Sequence, residues 1–168
     1  MIRPLNRSRS GQALVEFTLL GIPMIFITIS IISMGIAMWQ YETLAYATEM
    51  AARYVSMHGA TCAQNGNTCT ITVGNVATFF TSQAMALNAG SVNVTLTDGS
   101  GATACNPVNT CTSSTTQFPN ASNNSVGSDV TITATYTLKN PVTMFWPPAA
   151  IAANDYLAGA RSRQAIVF

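Results

Sequence analysis

Charge is nearly missing from this chain: Asp, Glu, Lys and Arg together make up 8% of its 168 residues, against roughly 25% in ordinary soluble domains. A polar surface built from Thr, Ser and Asn in place of charge suits a domain outside the cytoplasm. Three of the seven basic residues, Arg3, Arg7 and Arg9, fall within the first nine positions, which leaves four positive against six negative charges elsewhere. No basic patch remains, so nucleic acid is not an expected partner. Histidine is limited to His58, and the carboxylates beyond the first 41 residues, Glu42, Glu49, Asp98, Asp129 and Asp155, form no paired pattern. A Ser-His-Asp site would have to use His58, and no nucleophile motif accompanies it. Neither an enzyme nor a cofactor is expected.

Against these scarcities stand four cysteines in two close pairs, Cys62 with Cys69 and Cys105 with Cys111, in stretches rich in Asn, Thr and Gly. The spacing suggests two local disulfides, although four cysteines allow three connectivities. Zinc is the competing reading, but neither pair has C-x₂₋₄-C spacing and His58 is a poor completing ligand. Closing a loop of about eight residues stabilises by roughly 2.5 kcal/mol in the chain-entropy picture, and it requires an oxidising compartment.

No charge interrupts residues 17–41, FTLLGIPMIFITISIISMGIAMWQY. As a helix this run would span roughly 37 Å, enough to cross a hydrocarbon core of about 30 Å. Arginines precede it and Glu42 and Glu49 follow it, so the positive-inside rule puts the N-terminus in the cytoplasm and the residues after about 42 outside, with Trp39 and Tyr41 as interfacial aromatics. A cleaved secretory signal is the competing reading, with small residues at Gly35 and Ala37. The run is longer than such signals use, and Glu16 sits at its mouth.

A carboxylate at the edge of a bilayer-spanning helix is a functional hypothesis by default. The preceding residues, Gly11-Gln12-Ala13-Leu14-Val15-Glu16, supply a partner. A cut after Gly11 would make Gln12 a positively charged N-terminus one turn from Glu16 of its own chain. In a staggered assembly the same amine would meet Glu16 of a neighbour, neutralising both groups and setting the register.

A basic leader ending in Gly, four apolar or small residues, Glu, an aromatic and a long apolar helix together resemble the type IV prepilin signal. The longer string GQALVEFTLLGIP, with Pro23, and the Ala-rich AYATEMAARYV are similar to the TadE-like proteins, the pseudopilins of the tight-adherence (Flp-type) pilus. The resemblance covers residues 9 to about 57. It implies cleavage after Gly11 by a membrane-embedded aspartyl prepilin peptidase, Gln12 as mature N-terminus, Glu16 as fifth mature residue and Phe17 as the aromatic after it. Its implied partners are that peptidase, other pilins or pseudopilins, the inner-membrane assembly platform and membrane lipid. The large domain that follows departs from the short major pilins of that system, so a minor subunit is the implied role.

Pro23 removes an amide partner from the Leu19 carbonyl and predicts a kink or local melting, either tolerated or used as a bend in assembly. Beyond the bilayer the helix is expected to reach about Met57, with Leu44, Ala47, Ala51 and Val55 on one face, Glu49 and Arg53 as an i,i+4 pair, and Gly59 ending it. A second helix capped by Asn75 carries Val76, Phe79, Phe80, Ala84 and Leu87 before Asn88-Ala89-Gly90. Val92, Val94 and Leu96, and then Val130, Ile132, Ala134, Tyr136 and Leu138, alternate with polar residues as half-buried antiparallel strands. Residues 98–128 read as a 31-residue loop, either a partner-contacting excursion or a decoration. The turn NPVTMFWPP at 140–148 either docks a partner or the membrane face, or covers the core, and Ala165 to Phe168 read as a last strand near Arg161 and Arg163.

The fold class expected is therefore α+β: a long N-terminal transmembrane and stalk helix, then a small antiparallel-sheet domain with one further helix and two disulfides. The division is 1–11 cytoplasmic basic leader, 12–57 helix and 58–168 extracytoplasmic domain. The leading function is a minor pilin or pseudopilin in the inner membrane, its domain periplasmic or carried into the pilus. An uncleaved membrane-anchored binding module and a secreted adhesin-like or hydrolytic domain are the alternatives.

Overall fold

The computed structural model describes residues 10–65, 69–138 and 156–168. The leader arginines and the 140–148 turn lie outside these residues. Helix α1 runs unbroken from Ser10 to Ser56, 47 residues and so about 70 Å. Pro23 lies inside it without local melting, because the only hydrogen bond a proline forfeits is its own, and the turns on either side are intact. Its N-terminal half is exposed and apolar, and its mean hydropathy reaches 2.3 in the best window, so the helix is long and apolar enough to cross a membrane.

From Leu44 the same helix becomes the wall of a core. Leu44, Ala47, Ala51, Ala52 and Val55 are fully buried, on the face that the apolar spacing predicts. Thr48 joins them, its hydroxyl satisfied by donating to the Leu44 carbonyl at 2.7 Å. The exposed side carries the Arg53–Glu49 pair, which at a solvated i,i+4 position stabilises by only about 0.3–0.5 kcal/mol.

The sheet has four antiparallel strands in the order β2-β1-β3-β4, namely β1 Val92–Asp98, β2 Gly101–Cys105, β3 Asp129–Leu138 and β4 Tyr156–Ala165. Its inner face holds Val92, Val94 and Leu96 of β1, Val130, Ile132 and Ala134 of β3 and Ala158 of β4, all buried. Ala134 is paired with Ala160, and both belong to the core that β3 and β4 share with the alanines of α1. Small side chains on both surfaces let helix and sheet approach closely. The outer face is a polar lattice in which Thr131 and Thr133 oppose Arg163 and Arg161. Arg163 pairs with Asp129 across the strands, so this arginine is partnered as well as solvated.

Helix α2, Val73–Gln83, packs beside α1. Its cap differs from the sequence reading. Thr72 is the N-cap, its hydroxyl accepting from the Asn75 amide at 3.2 Å, while the Asn75 side chain accepts from the Thr72 amide at 2.9 Å. Both residues thus form a reciprocal capping box, with Asn75 in the third helical position. The helix also stops at Gln83, earlier than Asn88, yet Ala84 and Leu87 remain buried because the chain turns back under the core.

The 98–128 segment is a correction. It contains β2, which closes a hairpin on β1 through Gly99 and Ser100, and short 3₁₀ turns at Val108–Cys111 and Ala121–Asn123. The motif Asp98-Gly99-Ser100-Gly101 is a hairpin signal, but β2 is an edge strand exposed on both faces except at Cys105, so it has no apolar alternation to betray it. The last strand begins at Tyr156 and ends at Ala165. Beyond it Ile166 and Val167 still bond to Ser128 and Ser56.

Both disulfides are local, Cys62–Cys69 and Cys105–Cys111, with Cα–Cα distances of 5.2 and 5.6 Å. All four sulfurs are consumed, which leaves no thiolate for zinc. The second disulfide anchors the segment that covers α2, where the Val73 and Gly74 amides donate to Thr116 and Ser114 carbonyls at 2.8 and 3.1 Å.

At the far end of the stalk a Cβ on Gly59 would lie 1.7 Å from the Phe168 carbonyl oxygen and 2.2 Å from Ile166 Cγ2. Only glycine fits under that strand. Gly59→Ala is expected to destabilise by about 1–3 kcal/mol through overpacking, and Leu44→Ala by about 2–5 kcal/mol through the cavity it leaves, both read as lowered thermal midpoints of the detergent-extracted protein.

Candidate functional site

The residues singled out by the sequence lie together on the first three turns and a half of α1. Gly11 is helical and exposed, and a Cβ there would meet no atom within 4 Å. Among the described residues, neither conformation nor packing requires glycine at that position. One residue on, Gln12 Nε2 donates to Glu16 Oε1 at 3.3 Å across one helical turn. A free amine at residue 12 would therefore start about 6 Å along the axis from the Glu16 backbone, on the side toward which the Glu16 carboxylate reaches. Phe17 is 77% exposed and lies over Gly21, whose added Cβ would touch its ring at 3.9 Å. Pro23 sits less than one turn beyond Leu20 on the same exposed rod.

The serine and threonine hydroxyls of the apolar run are turned back on the helix. Thr18 donates to Leu14 and Val15 carbonyls at 3.1 and 2.9 Å, Thr28 to Met24 at 2.8 Å, Ser30 to Phe26 at 2.8 Å and Ser33 to Ile29 at 2.6 Å. In hydrocarbon every polar group must be satisfied internally, and these are. The Glu16 carboxylate differs, because a neutral amide such as Gln12 does not balance an anionic charge.

In the folded body the sequence reading missed Asp98. Its Oδ2 accepts from the Asn120 amide at 2.7 Å, while its Oδ1 accepts from the Ser100 hydroxyl and from the Ser100 and Gly101 amides. Partial burial pushes the carboxyl up, but hydrogen bonds from Asn120, Ser100 and Gly101 outweigh it and hold the group below the ordinary aspartate range. One side chain thus closes the β1–β2 hairpin and ties it to a turn 22 residues later. His58 is a helix-end residue: Nδ1 lies 2.6 Å from the Tyr54 carbonyl, its ring 4.4 Å from that of Tyr54, which stacks on Phe79. Among the described residues no group of three or more His, Cys, Asp or Glu side chains could hold a metal.

A depressed folded-state value means that the Asp98 contribution is present above the unfolded carboxylate range and is lost as pH falls through the folded value. Asp98→Asn is expected to cost on the order of 1 kcal/mol at neutral pH, since the group is mostly solvated. The gap from wild type should close in acid, as followed by denaturant melts of the solubilised protein across the range from neutral to about pH 2.

No curated protein and no solved structure matches the chain. The family model for TadE-like protein matches residues 11–53, which begins at Gly11 and covers nearly all of α1. The strands and disulfides lie beyond the match. Over residues 11–53, the greater part of its long apolar helix, the chain is similar to TadE-like proteins.

Proposed function

We propose that the protein is a minor pilin or pseudopilin-like subunit that takes part in assembling a tight-adherence (Flp-type) pilus. The carrying observation is the Gln12–Glu16 juxtaposition at the open end of a bare apolar helix whose residues 11–53 are TadE-like. In this reading α1 holds the chain in the inner membrane with its N-terminus cytoplasmic and residues 58–168 outside, as the arginine-before, glutamate-after flanks favour. Both disulfides fit that side of the membrane.

A prepilin peptidase cuts after Gly11, separating the 1–11 leader from the helix that begins at Gln12. That no described residue requires glycine at residue 11 supports an external reader of that position. The Gln12 amine then meets Glu16 of its own chain or of an adjacent subunit, and the burial of an otherwise unbalanced carboxylate drives registered contact with other pilins. Phe17 flanks that contact and Pro23 supplies the residue at which the helix can bend when it leaves the bilayer. Its partners are the peptidase, other pilins or pseudopilins, the assembly platform and lipid. No catalytic role is assigned to it.

Intact mass and N-terminal sequencing of the membrane-extracted chain, from cells with and without the peptidase, test this. A start at Gln12 that requires both the peptidase and Gly11, and is lost in Gly11→Ala, is the expected result. A start at Met1 in all samples would make the chain a fixed anchor carrying a binding module, and a start near Met38 would make it a secreted domain. Glu16→Leu should leave cleavage intact yet abolish recovery of the protein with sheared pili.

A further inference from the structure

The folded body meets α1 lower than a free-standing head would. On one side Leu138, Leu157 and Ala158, at the β3–β4 end of the sheet, gather against Met34, Met38 and Tyr41 of the helix. On the other, Met85 and Ala86, just past α2, gather with Trp39 and Tyr46. Leu157 is 68% exposed and Met85 88% exposed, although both are large and apolar. Glu42 is the single charged residue lining either hollow.

The level of this rim follows from the helix. A hydrocarbon core of about 30 Å takes about 20 residues, so one beginning at Phe17 ends near Ile36. Met34 to Tyr41 then lie from about 3 Å below that boundary to about 8 Å above it. This is the headgroup layer, about 5–8 Å deep. The Leu157 end of β4 is at this depth, and Met85, beside Trp39 and Tyr46, is at its outer side. The other end of the body is far away: Val126 adjoins Gly127, which bonds to Ile166, and Val167 bonds to Ser56, about 30 Å above the boundary.

We propose that the extracytoplasmic domain rests on the outer leaflet of the membrane through a rim formed by Leu157, Leu138 and Met85 around Trp39 and Tyr41, with interfacial lipid as the occupant of both hollows. Two observations carry it. The rim is continuous with the exposed apolar surface of the helix. Among the residues that line the two hollows, Glu42 alone is charged. A free strand edge is not tolerated in hydrocarbon, which sets the rim among the headgroups and no deeper. The rim therefore fixes the height and tilt of the stalk until the subunit is withdrawn from the bilayer.

This rests on the anchored reading above, and the test separates the two. Both native tryptophans are removed by Trp39→Phe and Trp146→Phe, and one tryptophan is returned at a time, as Ile27→Trp, Leu157→Trp, Met85→Trp or Val126→Trp. The full chain is reconstituted in phosphatidylcholine vesicles with acyl chains brominated either near the headgroup or near the chain end, and acrylamide is added from the water. The expected result is loss of emission at Ile27→Trp to the chain-end bromolipid and at Leu157→Trp to the headgroup-end bromolipid, a smaller loss at Met85→Trp and none at Val126→Trp, with acrylamide quenching in the reverse order. Leu157→Trp and Met85→Trp behaving like Val126→Trp would overturn the proposal. Shielding of both from bromolipid and acrylamide alike, relieved by dilution in lipid, would assign the rim to a second copy and overturn it equally. An Ile27→Trp that escapes bromolipid would instead refute the anchor.

Discussion

The contact on which the architecture depends is the seating of the stalk on β3 and β4. Ala47, Ala51 and Ala52 on the helix share one core with Ala134, Ala158 and Ala160 on the inner face of the sheet. With so little side-chain volume between them, the layers come close enough for Leu44 and Val55 to be wholly enclosed, and dispersion contacts accumulate along the interface. A single helix can then be lipid-facing over one half and core-forming over the other. The transition comes between Tyr41 and Leu44, where the first fully buried side chain follows the last residue of the uncharged run. The boundary between the exposed apolar run and the folded body is thus a change of neighbour, with no break in the helix. The last turns of the stalk belong to the body's core as much as any strand does.

The scarcity of charge gains a physical meaning in this frame. Threonines on the outer face of the sheet and hydroxyls bonded to their own helix in the membrane run satisfy polar needs without ions. The few charges that are present are placed where one is needed. Asp98 gathers amides from two turns, Asp129 and Arg163 tie β3 to β4, and Glu16 sits at the mouth of the helix beside Gln12. The first two are satisfied within the chain. Among the described residues Glu16 has only the neutral Gln12 amide beside it, which is why the proposed assembly role falls to this carboxylate.

Much of this was legible in advance. The apolar run, the stalk face, both disulfides, α2, and the alternating strands β1 and β3 follow from periodicities and spacings that are local along the chain. The segment 98–128 was not legible as a strand because β2 is exposed on both faces and its pattern of Gly, Ala and Thr is that of a loop. Its Asp-Gly-Ser-Gly turn was the one available signal. The Thr72 cap was hidden by Asn75, since either residue can cap and only the reciprocal geometry says which is first. The last strand was expected at Ala165 to Phe168 but lies at Tyr156–Ala165, because Leu157, Ala158 and Gly159 lack polar alternation and their strand form depends on pairing with β3.

The sequence by itself determined the long apolar helix, the scarcity of charge, the local cysteine pairs and the prepilin-like arrangement of Gly11, Gln12 and Glu16, because each is a property of residues near one another in the chain. Only the tertiary structure decided that Asp98 joins two distant turns, that Gly59 must make room for the final residues, and that the ends of β4 and α2 come level with Trp39 and Tyr41. Those are contacts between segments far apart in sequence. Their existence depends on strand order and on the close approach of helix and sheet, which no local pattern records.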